Sequence, residues 1–186
     1  MNLVNNSFVT DALLPAVNSP NWINVYHLAK TQNKKVLLFW YPKDFSYVCP
    51  TELYALQEAL PEFESRNTIV IAASCDTIEV HKAWLKTPKD KGGIEGITFP
   101  ILSDSRRELS EHLDILDIHE EGDNVTYRAT YLLDETGKVF YQSLQDMSLG
   151  RNIDEYKRII DAYTMVQDKG ELCPANWKKG DKTIKL

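Results

Sequence analysis

The chain reads as an α/β protein with a mixed central sheet flanked by helices, on three observations. Two continuous apolar runs, Val36–Tyr41 and Thr68–Ser74, are short and rich in β-favouring residues, as strands buried on both faces are. Between them Leu53, Leu56 and Leu60 recur at i, i+3 and i+7, one apolar face of a helix, so the three segments make a βαβ unit and a parallel sheet centre. Later, Val125–Leu133 and Lys138–Leu144 flank the Gly-containing turn D-E-T-G and read as an antiparallel hairpin, which makes the sheet mixed.

Taken in order, residues 1 to 30 carry Pro15, Pro20 and a cluster of asparagines, which predicts short strands and turns before a short helix over Trp22–Lys30. Pro42 ends the first strand. Pro50 suits a first helical turn, so the next helix starts at Cys49, and Pro61, lacking an N–H, predicts a kink or an early end near Leu60. Glu79–Lys86 reads as a helix containing Trp84, Phe99–Leu102 as a short strand and Arg106–Leu113 as a helix. The acidic stretch Asp114–Asp123 reads as a solvated loop. Asn152 followed by Glu155 is an N-cap signature, and Ile153, Tyr156, Ile160 and Tyr163 then line one helical face to about Gln167. This order of elements is that of a thioredoxin-like sheet with helices on both faces.

A length of 186 residues with 43% hydrophobic content supports one core, read as a domain over 1–167 with a functional extension over 168–186. The net charge of −6 argues against non-specific binding to nucleic acid or anionic membrane. The N-terminus has no basic stretch ahead of a long apolar segment, and no apolar run approaches spanning length, so a cytoplasmic protein is expected. The three cysteines, Cys49, Cys75 and Cys173, are scattered and form no C-x-x-C pair. His27, His81, His112 and His119 show neither i, i+4 pairing nor clustering with cysteine, which argues against zinc.

Cys49 therefore stands on the first turn of a helix, where orphan N–H groups and the positive end of the helix dipole favour a thiolate. Lowering a cysteine pKa by about two units takes roughly 2.7 kcal/mol, whereas a helix end supplies roughly 0.3–1 kcal/mol. A cation is needed as well. On position alone, a small buried hydrophobe capping a core strand is an equally good account of Cys49.

Longer motifs separate these readings. Pro42, Ser46 and Cys49 form P-x-x-x-S-x-x-C, and Y-P-K-D-F-S-Y-V-C-P-T-E-L resembles the active-site loop of the peroxiredoxins, in which the serine position is usually threonine. Gly170–Trp177, G-E-L-C-P-A-N-W, resembles the resolving-cysteine segment of the two-cysteine subgroup, in particular bacterial alkyl hydroperoxide reductase C-components. Between them Ser74-Cys75-Asp76, His81-Lys82-Ala83-Trp84, Phe99–Asp104, Arg128-Ala129-Thr130-Tyr131 and Gly150-Arg151-Asn152 fall in the family's order.

The resemblance implies a thioredoxin-like peroxidase that reduces hydrogen peroxide and organic hydroperoxides without a cofactor. It makes Cys49 the nucleophile, Ser46 a hydroxyl that aims the peroxide, and Arg128 the cation that holds the thiolate and the transition-state oxygens. Glu52 would orient Arg128, Arg151 would be a second arginine nearby, and Pro42 would shield Cys49 from water. Read alone, Arg128 is a strand-end arginine paired with Glu120–Glu121. The resulting sulfenic acid would condense with Cys173 of a partner chain, in a homodimer that often forms a decamer. The disulfide would then be reduced by a disulfide reductase or a small dithiol protein. Cys75 has no catalytic context and reads as structural. Gly92–Gly96 only partly resembles the Gly-Gly-Leu-Gly loop of peroxide-sensitive relatives, and no Tyr-Phe pair follows Cys173, which predicts resistance to overoxidation. The rivals are a thioredoxin-type oxidoreductase, disfavoured by the missing C-x-x-C, and a redox sensor or holdase chaperone using the same cysteines.

Overall fold

Strands Ala16–Val17 (β1), Lys35–Trp40 (β2), Thr68–Ser74 (β3), Ile101–Ser103 (β4), Arg128–Leu133 (β5) and Val139–Gln145 (β6) form one mixed sheet in the order β1-β4-β3-β2-β5-β6. These are the elements of a computed structural model, which describes residues 1–8, 10–118 and 124–185. The centre is parallel, β2 with β3 and β3 with β4, while β2–β5, β5–β6 and β1–β4 are antiparallel. Among the described residues five α-helices cover it: Val25–Gln32 (α1), Cys49–Glu64 (α2), Ile78–Lys86 (α3), Glu108–Leu113 (α4) and Ile153–Lys169 (α5).

All of β2 is buried, and its side chains alternate between two cores. Leu37 and Phe39 pack with residues of α2, α3 and α5, whereas Val36, Leu38 and Trp40 pack with residues of α1 and α4. A strand covered on both faces has no polar side to show, hence the continuous apolar run. The ladder runs one rung beyond Trp40, since Tyr41 N–H donates to Ala73 C=O at 3.0 Å. The β5–β6 turn is tied by Asp134, whose Oδ1 accepts from Thr136 and Lys138 N–H. Gly137 is required there: its φ is +80°, and a Cβ would stand 2.4 Å from the ring of Tyr26.

Several boundaries differ from expectation. The helix expected to end near Leu60 runs through Pro61 to Glu64. Pro61 is exposed, Phe63 beyond it is fully buried, and the Arg66 guanidinium grips Asp161 of α5 at 3.0 and 2.9 Å. Packing of the last turn outweighs one missing helical hydrogen bond. α1 begins at Val25 rather than Trp22, because Asn24 caps it by accepting from His27 N–H, and Leu14 and Ile23 pair just before it. α4 begins at Glu108, where the Asp104 carboxylate accepts from Leu109 and Ser110 N–H. The strand expected from Val125 starts at Arg128; Thr126 makes only an isolated bridge with Leu116. That bridge corrects the solvated loop expected over Asp114–Asp123, since Ile115 and Asp117 are buried. Residues 119–123 of that stretch, with His119 and the Glu120–Glu121 pairing considered for Arg128, lie outside the described residues. At α5 Asn152 accepts from Asp154 N–H, while Glu155 pairs with Arg158 instead of closing a capping box. No helix among the described residues is long and apolar enough to cross a membrane.

Candidate active site

The site lies where β2 ends and α2 begins. Cys49 is the first residue of α2 and is fully buried; no side chain caps the helix at Val48, Pro50 has no N–H, and Thr51 and Glu52 N–H donate to the Val48 carbonyl at 3.1 and 3.3 Å, so the helix end favours an anion through its dipole. β5 lies antiparallel beside β2, with Thr130 opposite Phe39, so its first residue, Arg128, is delivered beside the end of β2. Arg128 Nη1 stands 3.3 Å from Cys49 Sγ and 2.7 Å from Glu52 Oε2. Its Nε and Nη2 both donate to the Met147 carbonyl, at 2.9 and 2.5 Å.

Glu52, three residues after Cys49, receives a second arginine. Arg151 donates to Oε1 from Nε and from its backbone N–H, each at 2.9 Å, and to Oε2 from Nη2 at 3.0 Å. Its guanidinium also lies 3.2 Å from the centre of the Phe39 ring. Glu52, Arg128 and Arg151 are 3%, 2% and 8% exposed, so water supplies little compensation to any of them. Two guanidiniums face one carboxylate, so Glu52, Arg128 and Arg151 together carry one net positive charge on the side of the Cys49 sulfur. Such a charge favours an anion beside it.

In front of the thiol is a cavity of about 480 Å³ whose lining includes Pro42, Ser46, Cys49, Arg128 and Met147. Ser46 donates its hydroxyl to the Lys43 carbonyl at 2.8 Å, so the proton must turn to reach a bound molecule. The loop is pinned from below. Asp44 Oδ1 accepts from Tyr41 Oη at 2.7 Å, Oδ2 lies 2.7 Å from His81 Nδ1, and Asp44 N–H donates to Asp76 Oδ2 at 2.9 Å. His81 Nε2 donates to the Leu102 carbonyl at 3.2 Å. Burial raises the Asp44 carboxyl above the usual carboxylate range, against the opposing pull of His81. Burial, followed by the Asp44 charge, raises Tyr41 well above the ordinary phenol.

Cysteine Cys173 is not among the residues lining the cavity. It is a free, half-buried thiol in the segment after α5, where Leu172 pairs with Ile184 and buried Trp177 donates Nε1–H to the Asp181 carbonyl. The Trp177 carbonyl accepts from Arg158 of α5. Cys75 is likewise free, 3.5 Å from Ser110 Oγ, and burial pushes its thiol up to about 11. The structure thus gathers Pro42, Ser46, Cys49, Glu52, Arg128 and Arg151 in one place and leaves Cys173 elsewhere. Sequence reasoning missed Met147 and Asp44. Asp44 stands in the quoted loop motif, whereas a backbone carbonyl such as that of Met147 has no sequence signature.

Comparison with known proteins adds the family. The AhpC/TSA family matches residues 11–142, a span that contains Cys49, Glu52 and Arg128, and the C-terminal domain of 1-Cys peroxiredoxin matches residues 162–185, which contain Cys173. Alkyl hydroperoxide reductase C of Helicobacter pylori is 40% identical over 177 residues, 94% of this chain and 87% of the relative. Peroxiredoxin tpx1 of Schizosaccharomyces pombe is 41% identical over 157 residues, 84% of this chain and 80% of the relative. The crystal structure of the reduced 2-Cys peroxiredoxin of Plasmodium vivax superposes with a TM-score of 0.90 at 35% identity, covering 98% of this chain and 93% of that one. That of Enterococcus faecalis AhpC gives 0.82 at 31% identity, covering 94% and 100%. A buried cysteine at a helix start, faced by a braced arginine in a thioredoxin-like sheet, is thus accompanied by likeness along nearly the whole chain, and the chain belongs to the AhpC/TSA family as a peroxiredoxin, a thiol-dependent peroxidase.

Proposed function

We propose that Cys49 is the peroxidatic nucleophile of a two-step cycle closed by Cys173. The Cys49 thiolate attacks the distal oxygen of a hydroperoxide; an S–O bond forms, the O–O bond breaks, and the alkoxide or hydroxide leaves and takes a proton. The observation that carries this is the Arg128 Nη1 contact at 3.3 Å from Cys49 Sγ, with Glu52 fixing the same nitrogen. A guanidinium so held stabilises the thiolate first and then the departing oxygen. Ser46 and Pro42, lining the same cavity, aim the peroxide and exclude water.

The sulfenic acid then condenses with the thiol of Cys173 from a second copy: an S–S bond forms and water leaves. A disulfide reductase or small dithiol protein supplies two electrons and two protons to reset the pair. In this reading residues 1–167 are the peroxidase domain and 168–186 the extension that carries Cys173. The working unit is a homodimer that assembles into a decamer in the cytoplasm. β6, at the edge of the sheet with Leu144 exposed, supports association with a second copy. Peroxide treatment followed by non-reducing electrophoresis tests the cycle. A dimer band that needs both Cys49 and Cys173 is expected, together with peroxide consumption driven by an artificial dithiol. A monomer band throughout rejects the intersubunit disulfide, and absent consumption rejects the cycle.

A further inference from the structure

The brace behind Cys49 does not end at Arg151. Arg151 Nη1 donates both to the Ala129 carbonyl and to Thr130 Oγ1, each at 3.0 Å, and Thr130 Oγ1 lies 3.0 Å from Tyr156 Oη. Thr130 is fully buried and Tyr156 is 3% exposed. Thr130 stands opposite Ser143 across β5–β6. The ring of Tyr156 is wedged edge-on between Phe39, 6.2 Å away, and Tyr141, 6.1 Å away.

From these contacts we infer that Thr130 and Tyr156 are positioning residues for the peroxide step, holding Arg151, and through it Glu52 and Arg128, in register with Cys49. The inference rests on Cys49 being the peroxidatic thiol. A hydroxyl has one proton and two lone pairs. One lone pair of Thr130 is taken by Arg151, so its orientation is fixed only if the remaining proton or lone pair is also engaged. Tyr156 supplies that engagement from α5. Without it, a buried hydroxyl is free to rotate beside a guanidinium that only Glu52, the Ala129 carbonyl and the Phe39 ring then hold. None of these groups touches the thiol, so their effect reaches it only through Arg128. The other charged residues around the cavity are Lys43 and Asp117.

Tyr156→Phe deletes only the oxygen and keeps the wedge. Expected is a sulfenate-forming rate with hydrogen peroxide about five-fold lower, the equivalent of one neutral hydrogen bond of about 1 kcal/mol. The pH profile of Cys49 alkylation by iodoacetamide should move upward with it. Thr130→Val should slow the step by a similar or larger factor, Thr130→Ser should restore it, and the Tyr156→Phe/Thr130→Val pair should be no slower than Thr130→Val alone. A lowered melting temperature with rate and pH profile unchanged in Tyr156→Phe overturns the inference, as does strict additivity in the pair. If Thr130→Val fails to fold, Tyr156→Phe and Thr130→Ser decide alone. Cys49→Ser, run alongside, keeps the two levels apart: sulfenate signal persisting there rejects the Cys49 reading, whereas its loss there with an unaffected Tyr156→Phe rejects only the brace.

Discussion

Cys49 and Cys75 stand in nearly the same place in the fold and in opposite surroundings. Each follows the C-terminal end of one of two adjacent parallel strands, β2 and β3, and each lies at or just before the start of a helix, α2 or α3. Backbone geometry favours Cys49, the first residue of a helix that no side chain caps, over Cys75, which stands three residues before α3 and ahead of its Thr77 cap. The side chains that arrive from elsewhere widen the difference. Arg128 comes to Cys49 from an antiparallel strand with Arg151 and Glu52 behind it, the three together carrying one net positive charge. Cys75 meets the Ser110 hydroxyl, with Asp104 and Asp76 opposing its ionisation more than Arg107 helps, and burial dominates. A helix start at the end of a parallel strand is a location; the charge imported to it decides whether a thiol there reacts.

The sharpest way to break this contrast is to remove each sulfur in turn. Cys49→Ser is expected to abolish peroxidase turnover with the fold intact, and Cys75→Ser to leave it unchanged; steady-state peroxide consumption reads both. Retention of a tenth of the activity by Cys49→Ser would mean the wrong sulfur has been named. Next in size is the fate of the sulfenic acid. In the proposed cycle, fully buried Cys49 reaches Cys173 once the first turn of α2 unwinds, and disulfide formation then competes with further oxidation. Mass spectrometry after many turnovers should find Cys49 largely free of sulfinic acid in the wild type and largely sulfinic in Cys173→Ser; sulfinic acid accumulating in the wild type at micromolar peroxide would overturn this.

Charge without geometry is a third test. Arg128→Lys keeps a cation but loses the planar fork that reaches Cys49, Glu52 and Met147 together, so sulfenate formation in stopped flow should slow by about 10²-fold, the usual loss for one transition-state donor. Unchanged kinetics would remove Arg128 from the site. The smallest effect concerns Cys75 and has a definite sign. Its thiol, raised from 9.0 to about 11 in the fold, keeps its proton where the unfolded chain would lose it. The stability this contributes is complete below about pH 9 and is lost as pH rises through about 11. Denaturant titrations at pH 8 and pH 10.5 should therefore show a smaller alkaline loss in Cys75→Ala than in the wild type.

Much of this arrangement was legible in the sequence for local reasons. β2 and β3 announce themselves because strands covered on both faces are apolar throughout, and the start of α2 is marked by Pro50 beside Cys49. Arg128 is different. Nothing near it in the chain distinguishes it from any strand-end arginine, and only the longer motif singled it out, because Cys49 is 79 residues away and Glu52 76. Asp44 and His81, 37 residues apart, form a buried pair that no periodicity predicts. Pro61 failed as a stop signal because a local rule met a larger tertiary term, the burial of Phe63. Thr130 and Tyr156 were read as strand and helix-face residues, which they are; their hydroxyls meet only after β5, β6 and α5 have packed.

The Met147 carbonyl, which takes two of the donors of Arg128, carries a consequence for how such a protein can diverge. A main-chain oxygen is the same whatever residue bears it, so the anchor of the most exacting side chain here is written in no codon. The anchoring contact itself imposes no choice of side chain at position 147. The heritable constraint is displaced onto its neighbours, on Asp146, whose carboxylate accepts from the amide and hydroxyl of Ser148 and so bends the chain that presents the oxygen. Lineages should lose this anchor through changes in the shape of that bend, and a comparison of letters at position 147 would not register the loss.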